Sequence, residues 1–284
     1  MTFDAAQSRS MLAGEDVVYV EYTAPRDWRN MVRNLAPAWR ILNSGRYDHV
    51  ISTGSAIALT FLPLARAKGL SATYVESAAR SEGPSLTGRI LMRVPGVQLG
   101  TQYRSWADQS WSYVGSVLDE YVPRPRSHAP AIRRVVVTLG TIPYSFRRLV
   151  ERLIDVLPSG ASVTWQTGAT DVSNLPISAR SEMDYHELYA AIHAADVVVA
   201  HAGTGSALAA IEAGKCAVLV PRERIHGEHV DDHQRQIADE LAGRGLALAR
   251  SVDELSSDDL RKAAGFGVER VQAPPLRLAI PGAA

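Results

Sequence analysis

The chain has 284 residues and 30.7 kDa, with 46% hydrophobic and 21% charged residues, enough apolar mass for one large or two ordinary domains and too much for wholesale disorder. Thirty Lys and Arg cancel thirty Asp and Glu, which argues against a bulk nucleic-acid binder. The single cysteine, Cys216, excludes an internal disulfide framework and a Cys-rich zinc site.

The opening residues lack the basic end and apolar run of a signal peptide, and no uncharged apolar run of about 18 residues follows, so a soluble, cytoplasmic protein is expected. Short apolar strands then alternate with amphipathic helices, the pattern of parallel α/β sheets. Residues 17–21 read as a strand and 28–43 as a helix interrupted or kinked at Pro37. Strand 49–52, helix 55–68 and strand 72–76 follow, then a polar Gly/Pro/Ser stretch, 77–88, with the look of a working loop. Residues 106–127 carry few periodic signals, and the Pro-rich stretch 121–130 reads as an interdomain linker.

A second series runs from strand 135–139 through the turn Gly140 to Pro143, helix 146–157, strand 162–166, helix 185–194 and strand 197–200. Helix 205–213, strand 217–220, helix 231–242 and strand 246–249 complete it. The predicted architecture is α/β, with two Rossmann-like doubly wound domains at residues 1–127 and 128–271, and a disordered Pro/Ala-rich tail at 272–284.

Charge is uneven along the chain. Between Arg26 and Arg104 eleven basic residues face four acidic ones, and the remainder carries 19 against 26. Either this is ordinary surface variation, or the first half faces anionic lipid or a pyrophosphate-bearing acceptor. The segment holding Trp28, Trp39, Arg29, Arg33 and Arg40 reads as a core-packed helix with a basic outer face, with membrane docking as the alternative.

The most informative segment is the strand 197–200 followed by His201-Ala-Gly203-Thr204-Gly205-Ser206. A buried strand delivers a small-residue turn to a helix N-terminus, where free N–H groups and the dipole favour a phosphate. Gly203 and Gly205 let the backbone approach closely, and Thr204 and Ser206 add hydroxyl donors. A dinucleotide fingerprint would need its third glycine at Leu208, and no Gly-Lys-Ser/Thr completes a Walker A loop. Glu212 lies seven residues beyond Gly205, about 10 Å along the axis, where a carboxylate can accept from both ribose hydroxyls. Asp231 or Asp232 can cap the next helix, aiming His233 and Gln234 at the crevice. His226, His229 and His233 offer a rival zinc reading, without the Glu base of an HExxH motif.

Taken together, His201-Ala-Gly-Thr-Gly-Ser206, Glu212-Ala-Gly-Lys215, Pro221 and Asp232-His233-Gln234 resemble the nucleotide-sugar half of GT-B glycosyltransferases of family 28. Val137-Thr-Leu-Gly140-Thr141 and Glu182-Met183-Asp184-Tyr185 match in order. The run Tyr74-Val-Glu76-Ser77-Ala-Ala-Arg80, with Pro84-Ser85-Leu86-Thr87-Gly88-Arg89, resembles the acceptor-domain subunit of the eukaryotic dolichol-pyrophosphate-GlcNAc transferase in that family. The chain thus looks like a fusion of both subunits, and it is also similar to the bacterial lipid II-forming transferase.

The resemblance implies a UDP-sugar donor and a lipid-pyrophosphate-linked or polysaccharide acceptor. It implies inversion by direct displacement without a metal or cofactor; the charge balance leaves no nucleic-acid partner expected, and the basic first half makes the inner face of an anionic membrane the alternative to a purely cytoplasmic location. Gly203, Thr204 and Gly205 would hold the donor's diphosphate, Glu212 the ribose, Met183 or its neighbours' backbone the uracil, and His233 and Gln234 the sugar hydroxyls, with Gly140, Thr141, His201 and Ser206 as further substrate-binding residues. Ser77, Arg80, Ser85 and Thr87 would form the acceptor loop. Relatives open with a strand and a Gly-Gly-His loop, whereas residues 2–13 here look like the helix after it, which would leave a sheet edge exposed. Glu76 then becomes the candidate base, with pairing to Arg80 as its structural alternative. A catalytically inactive UDP-sugar-binding scaffold and a UDP-sugar 2-epimerase remain rival readings.

Overall fold

The structure is a computed structural model describing residues 1–4, 6–21, 23, 28–54, 56–128, 130–229 and 233–278. The chain divides into two compact units, Met1–Leu118 with Pro274–Ala284, and Asp119–Ala273.

In the first unit β1 (Thr2–Phe3) pairs in parallel with β2 (Tyr19–Val20) around α1 (Ala6–Met11). Then come α2 (Trp28–Arg33), α3 (Leu35–Leu42), β3 (His49–Ser52), α4 (Ala58–Ala67), β4 (Ser71–Val75), α5 (Leu86–Leu91), β5 (Val97–Thr101) and β6 (Ser112–Tyr113). Strands β3-β4-β5-β6 lie in that order, all parallel, as short apolar strands joined by helices require. Phe61, Leu62, Tyr74, Leu91, Leu99 and Trp111 form the core.

The expected single helix over 28–43 is two, and the break falls at Asn34 rather than Pro37. Buried Asn34 donates its side-chain amide to Glu21 O at 3.0 Å and Thr23 Oγ1 at 3.1 Å. Pro37 sits in the first turn of α3, where its missing N–H has no intrahelical acceptor to lose. Ala38 and Leu42 pack inward while Trp39 stays 54% exposed; the Trp28 side chain lies outside the described residues.

The second unit contains β7 (Tyr121–Pro125), β8 (Arg134–Thr138), α6 (Arg147–Val156), β9 (Ser162–Gln166), β10 (Ala179–Arg180), α7 (Tyr185–Ala194) and β11 (Val197–Ala200). It continues with α8 (Thr204–Glu212), β12 (Ala217–Leu219), α9 (His233–Gly243), β13 (Ala247–Ala249), α10 (Ser257–Ala264) and β14 (Phe266–Arg270). Six parallel strands run in the order β10-β9-β8-β11-β12-β13. Connections therefore reverse direction between β8 and β11, and the loops leaving those two strands diverge to open the crevice of a doubly wound sheet. Val135, Val137, Leu149, Leu153, Val197, Val199 and Val218 fill its core.

Three findings depart from the expected organisation. The stretch read as a linker is largely a strand, because β7 pairs antiparallel with β14. Arg126 N donates to Gly265 O directly opposite it, so residues of even number on β7 make the ladder bonds. Pro123 and Pro125 fall on the positions that need no donor. The boundary between units accordingly lies at 118/119 rather than 127/128. Finally, the tail does not leave the protein at 272: Arg277 N donates to Val114 O at 2.7 Å and Leu276 lies against Gly115. Residues 279–284 of that tail lie outside the described set.

Candidate functional site

The loop after β11 leaves the crevice at the reversal point. All four residues of β11 are buried, and His201 N continues the ladder onto Thr138 O. Ala202 turns the chain with a left-handed φ of 56°, a conformation uncommon for a residue with a Cβ. Gly203 caps α8 with extended backbone and no side chain. The first intrahelical bond is Ala207 N to Gly203 O at 2.9 Å. The N–H groups of Thr204, Gly205 and Ser206 therefore have no acceptor within the helix and face outward with the positive end of its dipole. At Gly205 an added Cβ would meet open space.

Behind this helix start sits the His201 imidazole, 6% exposed, between two glycines. A Cβ on Gly140 would lie 2.6 Å from its Cε1, and one on Gly203 would overlap its Nε2. Gly140 also has φ of 69°, so a side chain there meets both a steric and a conformational barrier. Nδ1 of His201 lies 3.3 Å from Thr138 O and must donate to that carbonyl; burial, reinforced by Arg222, pushes the imidazole down to about 3. It is neutral at physiological pH. Gln166, fully buried, supports the same loop by donating Nε2–H to Gly140 O at 3.3 Å.

Arg222, at the exit of β12, is 1% exposed. Its Nη1 donates to Tyr144 O at 2.9 Å and its Nη2 to Leu139 O at 2.8 Å, so one guanidinium holds both ends of the turn that contains Gly140 and Thr141. Its backbone N–H donates to Gln234 Oε1 at 3.0 Å. Gln234 is buried, and its carbonyl oxygen is thereby spent on the β12 exit loop rather than presented in the crevice. Neither Arg222 nor this role of Gln234 was predicted. The only sequence signal was an arginine directly after the apolar strand 217–220 and Pro221.

The remaining expected donor-side residues are spread along the unit. Met183 is buried just before Asp184, whose carboxylate caps α7 by accepting from His186 N and Glu187 N. Glu212 is the last residue of α8, about 12 Å along the axis from Thr204, and exposed. After burial itself, its charge is the main influence raising both the Tyr185 phenol at the start of α7 and the Tyr121 phenol on β7. Asp231, Asp232 and the His233 side chain lie outside the described residues. Of the proposed zinc trio, His226 lies 3.5 Å from Glu223 and His229 packs against the Tyr144 ring.

In the first unit the structure reassigns Glu76. It is 2% exposed, and both carboxylate oxygens are occupied: Oε1 accepts from Tyr74 Oη and Ser77 N, each at 3.0 Å, and Oε2 from Ser85 N at 2.8 Å. Gln102 Nε2 holds the Glu76 carbonyl at 3.0 Å. Trp106 Nε1 donates to Arg80 O, Ser77 Oγ accepts from Ala79 N, and Ser85 Oγ caps α5 by accepting from Gly88 N. Thr87 is half-buried in the first turn of α5. A base must reach the proton that it removes; Glu76 instead closes the 77–85 loop onto the sheet.

Two outcomes follow. Glu76→Ala strands the backbone donors of Ser77 and Ser85 and leaves the Tyr74 hydroxyl with Ser85 Oγ alone, and should lower unfolding stability by about 2–4 kcal/mol in a urea titration; a loss within experimental error would remove the carboxylate from this role. For His201 the folded pKa lies below the unfolded value near 6.5, so the unfolded chain binds the extra proton. The contribution to stability is then complete above pH 6.5 and declines as pH falls toward 3. Near pH 5 the wild-type stability should fall by about 1 kcal/mol per pH unit more than that of His201→Asn. Parallel slopes for the two proteins would contradict a neutral buried imidazole.

Comparison with known proteins matches residues 134–263 to the glycosyltransferase family 28 C-terminal domain. The UDP-N-acetylglucosamine--N-acetylmuramyl-(pentapeptide) pyrophosphoryl-undecaprenol N-acetylglucosamine transferase of Nitratidesulfovibrio vulgaris strain Hildenborough is 27% identical over 254 residues. That alignment covers 81% of this chain and 66% of the relative, so the chain spans just under two thirds of its length. The UDP-N-acetylglucosamine transferase subunit ALG13 of Debaryomyces hansenii is 30% identical over 70 residues, 25% of this chain and 31% of that one. The crystal structure of Acinetobacter baumannii MurG superposes with a TM-score of 0.54 at 19% identity, covering 88% of this chain and 74% of that one. This likeness extends over both Rossmann-like units and establishes the GT-B fold. What the chain shares with glycosyltransferase family 28 is a likeness to its C-terminal domain over residues 134–263.

Proposed function

We propose that the protein is an inverting glycosyltransferase that moves GlcNAc or a related hexose from a UDP-sugar to a lipid-pyrophosphate-linked or polysaccharide acceptor. The observation that carries this reading is the start of α8: three N–H groups with no acceptor in the helix, at the reversal point of a domain that matches the family 28 C-terminal model. The diphosphate would sit on Thr204, Gly205 and Ser206, with Gly140 and Thr141 opposite. The nucleoside would run toward Met183 and the start of α7, with Glu212 at the edge of that groove beside Tyr185. His233 remains our candidate for the donor sugar, and Gln234 acts indirectly by holding the β12 exit loop.

The reaction transfers negative charge onto the departing UDP, and the helix dipole and backbone donors supply a fixed counter-field for it. We infer that this field replaces a divalent cation. Ser77, Arg80, Ser85 and Thr87 are the acceptor-side candidates in the first unit; Glu76 is assigned to the architecture of their loop, not to proton transfer. The acceptor's lipid would be reached from a membrane surface through α2 and α3. There Val32, 64% exposed, with Leu35 and Trp39, stands among Arg29, Arg33, Arg40 and Lys68, the last with Nζ 3.5 Å from the Trp39 ring centre. Apolar side chains ringed by cations suit an anionic bilayer.

Calorimetric titration with UDP in EDTA should give micromolar-range binding, and Glu212→Ala should weaken it by roughly 1.5–3 kcal/mol, the range for a charged hydrogen-bonding partner. No binding by the wild type would refute the donor site; binding that requires a divalent ion would refute metal independence; an unchanged affinity would remove Glu212 from the site. Sedimentation with vesicles containing anionic lipid should capture the wild type and much less Trp39→Ala. Equal capture of both, or capture by neutral vesicles alone, would count against this docking face.

A further inference from the structure

Arg222 is, after Trp111, the bulkiest fully buried side chain among the described residues. Among the described residues its hydrogen bonds leave its charge without a bonded counter-ion. Nη1 and Nη2 go to neutral carbonyls, Tyr144 O and Leu139 O, and the buried Nε–H finds no acceptor among the described residues. Glu228 is the acid whose field it feels, yet the Glu228 carboxylate is bound by Arg148 at 3.1 and 3.3 Å and by Glu223 N–H at 3.0 Å. Burial pushes the guanidinium down only to about 10, so it remains a cation at neutral pH. The Phe146 ring, 5.3 Å away, adds a weak attraction.

A buried cation without a bonded anion is costly, and it is tolerated where a charge is wanted. Both carbonyls in its grip bracket the Gly140–Thr141 turn, and its field reaches His201 directly. These two loops converge on the unpaired N–H groups of α8. The positive charge therefore lies behind the anion-binding face, fixed by two bonds and screened from water.

Resting on the donor reading above, we infer that Arg222 is a positioning residue for the diphosphate of the donor: it clamps the 139–144 turn against His201 and supplies a permanent positive charge behind the phosphate-binding face. It does not touch the substrate. A purely structural clamp would support every ligand of the site alike, whereas a charge discriminates by phosphate number. The chemical class selected is thus a nucleoside diphosphate over the corresponding monophosphate.

The test compares UDP and UMP binding by calorimetry for the wild type, R222M and R222K, with R222Q in place of R222M if that variant does not fold. The wild type should prefer UDP. R222M should lose roughly tenfold or more in UDP affinity, the scale of one buried charge interaction, and less than about threefold for UMP. R222K, which keeps the charge but not the fork, should retain the wild-type UDP-to-UMP ratio while melting at a lower temperature. Equal proportional losses for both nucleotides, or no loss in R222M, would overturn the assignment while leaving the donor reading intact. A wild type that binds neither nucleotide would overturn the donor reading and this inference with it.

Discussion

A neutral imidazole held between two glycines sets the geometry on which the second unit's site depends. His201 fills the space between the Gly140 turn and the Gly203 cap, and both neighbours must lack a Cβ for it to fit. Its Nδ1–H is committed to Thr138 O, so the ring cannot rotate away without losing a buried hydrogen bond. The start of α8 is consequently placed by packing against the β8 loop and not by its own cap, which has no side chain. Rigid placement of this kind lets backbone donors act on an anion without reorganising first.

Around that wedge the charges are arranged in depth. The start of α8 lies against the half-exposed Gly203 cap, while the neutral His201 ring and the Arg222 guanidinium that bonds the 139–144 turn are both buried. Farther out, Arg148 bridges Glu223 and Glu228, one cation against two carboxylates, in a cluster that fixes the β12 exit loop. Burial acts against the charge of both groups, and their intrinsic basicity decides the outcome: the imidazole loses its proton, while the guanidinium keeps it despite burial.

The first unit uses a carboxylate for an analogous purpose. Glu76 ends its strand inside the protein and ties both ends of the 77–85 loop to one point, while Tyr74, Trp111 and Gly88 pack around it. A Cβ on Gly88 would come 2.7 Å from Glu76 Oε2 and 2.9 Å from Trp111, so the helix after the loop is seated by the same group. The backbone N–H groups at both ends of that loop are thus held by one carboxylate.

Much of this was legible in the chain. Strand–helix alternation, the small-residue turn after strand 197–200 and its meeting with a helix start are local features, because periodicity and cap chemistry are written over a few residues. The roles of Glu76, Gln234 and Arg222 were not legible. A carboxylate at a strand end and a glutamine at a helix start read as reactive groups until the structure shows their oxygens already taken. An arginine after an apolar strand reads as a solvated side chain until two carbonyls, 83 and 78 residues away in sequence, close over it. The Pro-rich stretch at 121–130 misled for a related reason, since strand or linker depends on which backbone N–H groups face a partner, and that partner arrives 141 residues later. The sequence by itself determined the fold class and the small-residue turn at the helix start, through short-range sterics and cap chemistry; tertiary structure alone decided which polar atoms are bonded and to what, because burial and long-range pairing are properties of the assembled chain.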